Sequence, residues 1–204
     1  MKILIATNNQ NKFDEINAIL TIPTLNLVRL NKNQQSPPQE TGFTFAENAR
    51  IKASYYRAQT GCATLADDSG LQVDAIGGAP GVYSSRWETT DDKRMTKILD
   101  QLKNYNRPDQ MVKRSARFVC TVCIEWEYGI ILETASVEGQ ISLQPAGSSG
   151  FGYDPIFYYP PLQKTFGEMT PAKKNEVSHR TRALARIRDR LFKLSELPYS
   201  IEFK

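Results

Sequence analysis

The chain has 204 residues, of which 40% are hydrophobic and 24% are charged, with a formal net charge of +4. This is ordinary globular composition, and the length suits a single domain over residues 1–204 without a separable linker. No apolar run approaches 20 residues, which excludes a transmembrane helix. Because the first apolar stretch is shorter than a secretory signal needs, we expect a cytoplasmic protein with no membrane contact.

The charge is too mild to imply nucleic acid by itself, but it is unevenly distributed. Residues 164–193 hold nine lysines and arginines against three acids. Such a basic segment is either a solvated helix face or a site for an anionic ligand. We expect no stable nucleic-acid binding.

Apolar periodicity predicts strands and helices that alternate in the first half of the chain. Strands are expected at residues 2–6, 25–30 and 62–66, and Thr44 with Glu47 forms a capping box that opens a helix. Asp67-Asp68-Ser69-Gly70 then interrupts the third strand, which resumes at residues 71–76.

In the second half, the pattern predicts a helix at residues 91–103, two long strands that meet at Tyr128-Gly129 as a hairpin, and a last helix at 179–195. Leu184, Ile187, Leu191 and Leu194 mark the buried face of that helix. The order of elements predicts a mixed α/β fold.

The three cysteines include a C-x-x-C pair, Cys120 and Cys123. They lie in a predicted strand, where residues three apart point to opposite faces. We therefore interpret them as core residues and not as a redox or zinc pair.

A polar turn follows the first strand and leads into a helix. Small polar side chains, a lysine and the N–H groups of a helix start suit a phosphate group, although plain caps share this pattern. The turn consists of Thr7, Asn8, Asn9, Gln10, Asn11 and Lys12.

Adjacent acids at a strand end repel each other unless a cation or solvent relieves them. Asp67 and Asp68 therefore point to Mg²⁺, which takes one or two carboxylates and leaves its other positions to water and phosphates. Glu40 is a candidate second ligand, although its spacing alone favours an exposed loop acid.

The start of the last helix is unusually basic, because His179 and Arg180 fall where the helix dipole is already positive. With Lys174, they suit an anion or a carbonyl-rich ring. A lone histidine is more often a surface or partly packed residue, and that alternative remains open.

Phe151, Gly152, Tyr153 and Asp154 supply rings, close backbone approach and a carboxylate, which together can hold a heterocyclic base. A tight turn with two core aromatics is the alternative. Taken together, the turn, the acids and this segment indicate a nucleotide site.

These motifs resemble one family, the noncanonical purine nucleoside triphosphate pyrophosphatases (inosine/xanthosine triphosphatases). The matching segments cover nearly the whole chain: I-A-T-N-N-Q-N-K at 5–12, E-T-G-x-T-F-x-E-N-A at 40–49, A-D-D-S-G-L-x-V-D-A-x-G-G-A-P-G-V-Y-S-S-R at 66–86, G-F-G-Y-D-P-I-F at 150–157 and M-T-P-x-x-K-N-x-x-S-H-R at 169–180. The family pattern has glycine where this chain has Asn8, a residue type that tolerates left-handed backbone.

The resemblance implies a Mg²⁺-dependent hydrolase that cuts ITP, dITP or XTP between the α and β phosphates. It releases the monophosphate and pyrophosphate, which keeps deaminated purines out of nucleic acids. The implied fold is an elongated mixed β-sheet with helices that form two lobes around a central cleft, and the implied assembly is a homodimer.

The resemblance also implies residue roles. Thr7 to Lys12 hold the triphosphate, with Lys52 and Ser69 near the phosphates or the sugar. Glu40 and Asp68 hold Mg²⁺, and Asp68 is the general base. The implied base pocket consists of Phe151, Gly152, Tyr153, Asp154, Lys174, His179 and Arg180.

Three alternatives remain at this point. One is a nucleotide pyrophosphatase with another base preference, and another is a sensor that binds nucleotides without turnover. The third is a nucleic-acid-binding module that uses the basic last helix, which assigns no role to the acids.

Overall fold

A computed structural model describes residues 2–22, 25–30, 36–105 and 113–195. Within these ranges lie seven strands and five α-helices. The strands are β1 (Lys2–Ile5), β2 (Asn26–Arg29), β3 (Ala63–Val73), β4 (Ser115–Trp126), β5 (Gly129–Ile141), β6 (Phe157–Tyr159) and β7 (Lys164–Thr165). The helices are α1 (Gln10–Ile19), α2 (Phe45–Thr60), α3 (Asp91–Gln101), α4 (Pro171–Val177) and α5 (His179–Ser195).

The strands form one mixed sheet in the order β2-β1-β3-β4-β5-β6-β7. Strand β1 runs parallel to β2 and β3, whereas β6 is antiparallel to β5 and β7. Only two residues separate β4 from β5, as predicted for the hairpin. The predicted mixed α/β fold is confirmed.

Helix α2 shows how local chemistry sets an element's bounds. The Thr44 hydroxyl accepts the Glu47 N–H at 3.1 Å, and the Glu47 carboxylate accepts the Thr44 N–H at 3.0 Å. Gly61 ends the helix with φ of 68°, a left-handed conformation that glycine adopts without steric cost. The predicted capping box is confirmed.

The predicted interruption of the third strand is wrong, because β3 continues through Asp67-Asp68-Ser69-Gly70. Buried apolar residues, Leu65 and Ala66 before it and Leu71 and Val73 after it, hold the segment in the sheet. Alternation along a continuous strand turns successive side chains to opposite faces, so the two acids have different nearest partners.

Contacts divide the chain into two compact units. Unit 1 comprises Met1–Asp68, Cys120–Ala135 and Arg180–Lys204, and unit 2 comprises Ser69–Val119 and Ser136–His179.

Unit 1 has an apolar core on each face of its strands. The core on what we call the α1/α5 face includes Ile3, Ile5, Ile16, Leu65, Leu184 and Ile187. The core on the α2 face includes Leu4, Ala6, Ala49, Ala53, Tyr56 and Ala66. The side chains of β1 alternate between these cores, which is the pattern of a strand buried on both sides.

The cysteines follow the same alternation. Cys120 belongs to the α1/α5-face core and Cys123 to the α2-face core, so their predicted divergence is confirmed. Burial raises the pKa of each of these two thiols to about 12, so both stay protonated and unreactive at neutral pH.

Helix α5 contributes its predicted apolar face to the first core through Leu184, Ile187 and Leu191, all of them buried. The Leu194 side chain and residues 197–204 lie outside the described part of the chain. None of the helices in that part combines the length and apolar character needed to span a bilayer.

Unit 2 has its own core, which includes Leu71, Val73, Met95, Ile98, Phe118, Val137, Phe157 and Phe166. Beside it lies the fully buried Arg114. Its guanidinium donates to the carbonyl oxygens of Ile141 at 2.7 Å, Leu102 at 3.1 Å and Ser142 at 2.6 Å. The side chain thus ties the end of β5 to the segment after α3.

We expect Arg114→Met to lower the free energy of unfolding by about 3 kcal/mol, because buried carbonyl oxygens lose their donor. Arg117→Met is the matched control: Arg117 is a partly exposed neighbour with ion pairs to Asp74 and Glu138, and its loss is expected to cost less than about 1 kcal/mol. Urea denaturation compares the two, and equal destabilisation would contradict the anchoring role of Arg114.

Candidate functional site

Asp67 is the centre of a buried ion cluster on the α1/α5 face of unit 1. Its Oδ2 lies 3.0 Å from Lys12 Nζ and accepts hydrogen bonds from the Arg180 guanidinium at 3.0 and 3.3 Å. Burial opposes ionisation, but the charges of Lys12, Arg180 and Lys52 hold the pKa of Asp67 well below its usual range. Asp67 is therefore an anion that orients the two cations of α1 and α5.

Arg180 is also bound by Glu15 on α1, which accepts a hydrogen bond from its guanidinium. The Arg180 side chain is 1% exposed. Its partners in unit 1 are thus carboxylates, and its implied role in base recognition stays a prediction. The sequence pattern offered no signal for Glu15, whereas Asp67 was marked by its acidic neighbour.

Asp68 lies on the α2 face with different partners. Lys52, on α2, places its Nζ 3.2 Å from Asp68 Oδ1 and 2.8 Å from Glu40 Oε1. Glu40 is 20% exposed at its side chain, so the interpretation of it as an exposed loop acid is wrong. The structure brings Glu40, Lys52 and Asp68 together, as the predicted phosphate and metal end requires.

The cluster of Glu40, Lys52 and Asp68 contains a carboxylate oxygen that is not hydrogen-bonded within the described part of the chain. Asp68 Oδ2 is buried and has no hydrogen-bond partner among the described residues. Burial raises the pKa of Asp68, reinforced by Glu40 and Asp67 and opposed by Lys52 and Lys12. A buried carboxylate oxygen of this kind fits a divalent cation, for which oxygen is the preferred ligand atom.

Lys52 carries its charge in spite of its position. Burial would lower the pKa of its ammonium, but the charges of Asp68, Asp67 and Glu40 together raise it. The cluster thus holds a cation ready for phosphate oxygens next to carboxylates that suit a metal.

The predicted phosphate turn is a turn only at Thr7, Asn8 and Asn9, because Gln10, Asn11 and Lys12 are the first residues of α1. Asn9 caps the helix, since its side-chain oxygen accepts the Lys12 N–H at 3.2 Å, and its own N–H donates to Thr7 Oγ1 at 3.2 Å. Gln163 is the sole non-glycine residue with positive φ in the described ranges, so Asn8 does not adopt the left-handed conformation that its residue type tolerates. Residues 8–11 are exposed at this helix start, as binding of an anion requires.

In unit 2, Asp154 and Lys174 form a buried ion pair with Oδ2 and Nζ 2.7 Å apart and side chains 3–4% exposed. The same oxygen accepts the Phe151 N–H at 2.9 Å. Lys174 Nζ also lies 4.7 Å from the centre of the Phe151 ring. These three predicted base-pocket residues are therefore brought together, while Ser69 is half-buried on β3.

Two predicted residues are placed differently from their expected surroundings. Tyr153 is 4% exposed in the unit 2 core and donates its hydroxyl to Ser84 O at 2.9 Å, so its ring is not free to stack on a base. His179 is 3% exposed and its ring stacks on that of Phe118, with the ring centroids 4.8 Å apart, so it is a packed residue and not a surface one. Phe151 remains as the partly exposed ring of the segment.

Glycines at two positions of this loop allow a matched test. Gly150 and Gly152 have φ of 79° and 65°. A Cβ added at Gly150 would lie 2.0 Å from Asp154 Oδ2, whereas a Cβ added at Gly152 would have no atom within 4 Å. Both alanine variants share the cost of left-handed backbone, about 1–2 kcal/mol. We expect Gly150→Ala to cost at least about 2 kcal/mol more in unfolding free energy, because it also displaces the carboxylate of a buried ion pair. Equal Tm values would contradict this.

Comparison with known proteins agrees with the motifs. Residues 3–190 match the Ham1 family. A dITP/XTP pyrophosphatase of Nostoc sp. is 45% identical over 185 residues, which cover 90% of each chain. One from Exiguobacterium sp. is 42% identical over 192 residues, 92% of this chain and 95% of the relative. The solved structure of a HAM1 protein from Coxiella burnetii superposes with a TM-score of 0.84 at 37% identity and covers 95% of this chain and 99% of that one. The chain therefore belongs to the Ham1 family.

Proposed function

We propose that the chain hydrolyses the deaminated purine nucleotides ITP, dITP and XTP to the monophosphate and pyrophosphate. The observation that carries this proposal is the grouping of Glu40, Lys52 and Asp68, in which Asp68 Oδ2 has no hydrogen-bond partner within the described part of the chain. The related proteins are named dITP/XTP pyrophosphatases, which supports the release of pyrophosphate and two of the three substrates, dITP and XTP.

The triphosphate binds to the turn from Thr7 to Lys12 and to Lys52. The N–H groups at the start of α1 have no partner earlier in the helix. That of Lys12 donates to the capping side chain of Asn9, and those of Gln10 and Asn11 are left for phosphate oxygens. Transfer of a phosphoryl group needs neutralisation of charge more than covalent help, which the two ammonium groups supply.

The carboxylates of Glu40 and Asp68 would hold Mg²⁺ at this site. When bound, it neutralises charge on the phosphate oxygens. Two carboxylates suffice, because Mg²⁺ keeps waters and substrate phosphates as its other ligands.

Asp68 is the general base of the reaction. Its carboxylate accepts a proton from water as the water oxygen bonds to the α-phosphorus, and the bond from that phosphorus to the bridging oxygen breaks. Pyrophosphate leaves with the electron pair of that bond. Lys52 donates a hydrogen bond to Asp68 Oδ1, which orients the carboxylate.

The base is recognised in unit 2 by Phe151, Asp154, Lys174 and His179. Arg180 follows His179 in sequence, and the family resemblance implies the same role for it. Donors such as Lys174 suit the 6-oxo group, whereas adenine presents an amino group there. An unpaired buried donor costs about 1–3 kcal/mol, which is a preference of one to two decades for the oxo purine.

The assembly is inferred from the family resemblance, and the location from the short apolar stretch at the N-terminus. We infer a homodimer, on that resemblance alone, and a cytoplasmic protein. All three cysteines are free thiols, in keeping with a reducing compartment.

Product analysis tests the reaction. We expect ITP and XTP to yield the monophosphate and pyrophosphate with Mg²⁺, ATP to react at least about tenfold more slowly, and a chelator to abolish turnover. Release of orthophosphate and a diphosphate would contradict the site assignment. Binding of ITP without turnover would favour a sensor, and faster turnover of another nucleotide would favour a different base preference.

A variant at Asp68 tests the assignment of the base. Asp68→Asn keeps the shape but loses the charge, so we expect kcat to fall by about a thousandfold. Asp74→Asn, which changes a partly exposed acid paired with Arg117, serves as the control and should keep the wild-type kcat. Steady-state kinetics with ITP measure both, and an active Asp68→Asn enzyme would refute the assignment.

A further inference from the structure

Asp91, the first residue of α3, reaches the loop that we assign to base recognition. Its Oδ2 accepts the N–H of Gly152 at 2.8 Å, and its Oδ1 accepts a hydrogen bond from Arg94 at 2.5 Å. Both contacts lie within unit 2. Neither the sequence motifs nor the proposed chemistry assigns a role to this residue.

Three successive residues of the loop are held by different partners. Phe151 donates its N–H to Asp154, Gly152 donates its N–H to Asp91, and Tyr153 donates its hydroxyl to Ser84 O. The contact at Asp91 crosses 61 positions of sequence, so it ties the loop to a separate helix.

Arg94 makes Asp91 a rigid anchor. Besides its ion pair with Asp91, its guanidinium donates to the carbonyl oxygens of Glu88, at 3.0 Å, and of Ser85. Lys97, one helical turn further on, pairs with Glu88 at 2.9 Å. The carboxylate is thus held by a network that binds α3 to the segment before it.

Gly152 is the residue of the loop most in need of such an anchor. It has φ of 65°, and a Cβ there would meet no atom within 4 Å, so neither a side chain nor crowding restrains it. Glycine loses more conformational entropy on ordering than other residues. A hydrogen bond from its N–H to a charged acceptor supplies the restraint before a ligand binds.

We propose that Asp91 is a positioning residue for purine recognition: by holding the Gly152 N–H it orders the backbone that presents Phe151 to the base. This inference rests on the proposed function. The proposed role acts through the Gly152 backbone and needs no contact with the substrate. The Asp91 side chain is 44% exposed, so its contribution to global stability is small.

The test compares Asp91→Ala with Asp92→Ala. Both remove a carboxylate from the first turn of α3 and so weaken the helix dipole interaction equally, but Asp92 is exposed. We expect Asp91→Ala to raise KM for ITP about tenfold with kcat within about threefold, and Asp92→Ala to change neither. Asp91→Asn, which keeps an acceptor oxygen, should recover most of the loss.

Hydrogen exchange supplies a readout that is independent of turnover. The amide of Gly152 should exchange faster in Asp91→Ala than in Asp92→Ala or the wild type, since it loses its acceptor. Equal exchange, or equal KM in the two alanine variants, overturns the inference. Wild-type protein that fails to hydrolyse ITP, dITP and XTP refutes the proposed function instead, and faster Gly152 exchange in Asp91→Ala then still establishes the anchor without its role in recognition.

Discussion

The alternation of side chains along β3 is the constraint on which the unit 1 site depends. Asp67 and Asp68 are neighbours in sequence, yet a continuous strand turns them to opposite faces. Asp67 meets Lys12 and Arg180 on one face, and Asp68 meets Lys52 on the other. Two charges that would repel each other in a turn thereby face different nearest partners, and the positive charges of Lys12 and Lys52 favour the ionised form of both.

The two acids consequently differ in what they can do. The partners of Asp67 fix it as an anion that holds α1 and α5 to the sheet. Asp68 shares Lys52 with Glu40 and keeps a buried oxygen for a further ligand. In unit 2 a single acid has two roles, because Asp154 neutralises Lys174 and also orders the backbone at Phe151. Buried charges here are paired and hydrogen-bonded, and so they set local geometry as well as charge.

Much of the fold could be predicted from the sequence because its signals are local. The capping box at Thr44, the hairpin between β4 and β5 and the opposite faces of Cys120 and Cys123 depend on residues close together along the chain. The predictions failed where a distant partner decides. The acids of β3 predicted a break in the strand because the cations that neutralise them lie far away in sequence. Tyr153 was predicted to stack on a base because its hydrogen-bond acceptor, the carbonyl oxygen of Ser84, is also distant in sequence.

The sequence by itself determined the family and the order of β1 to β5 and of α1, α2, α3 and α5, and it supplied most of the candidate site residues, since periodicity and motifs are properties of neighbouring residues. Only the tertiary structure decided which cation neutralises which acid, that Glu40 joins Asp68 at Lys52, that Arg180 is bound by Asp67 and Glu15, and that Asp91 reaches Gly152. The physical reason is that these ion pairs and hydrogen bonds form between side chains whose separation is set by the packing of whole elements, which no local pattern encodes.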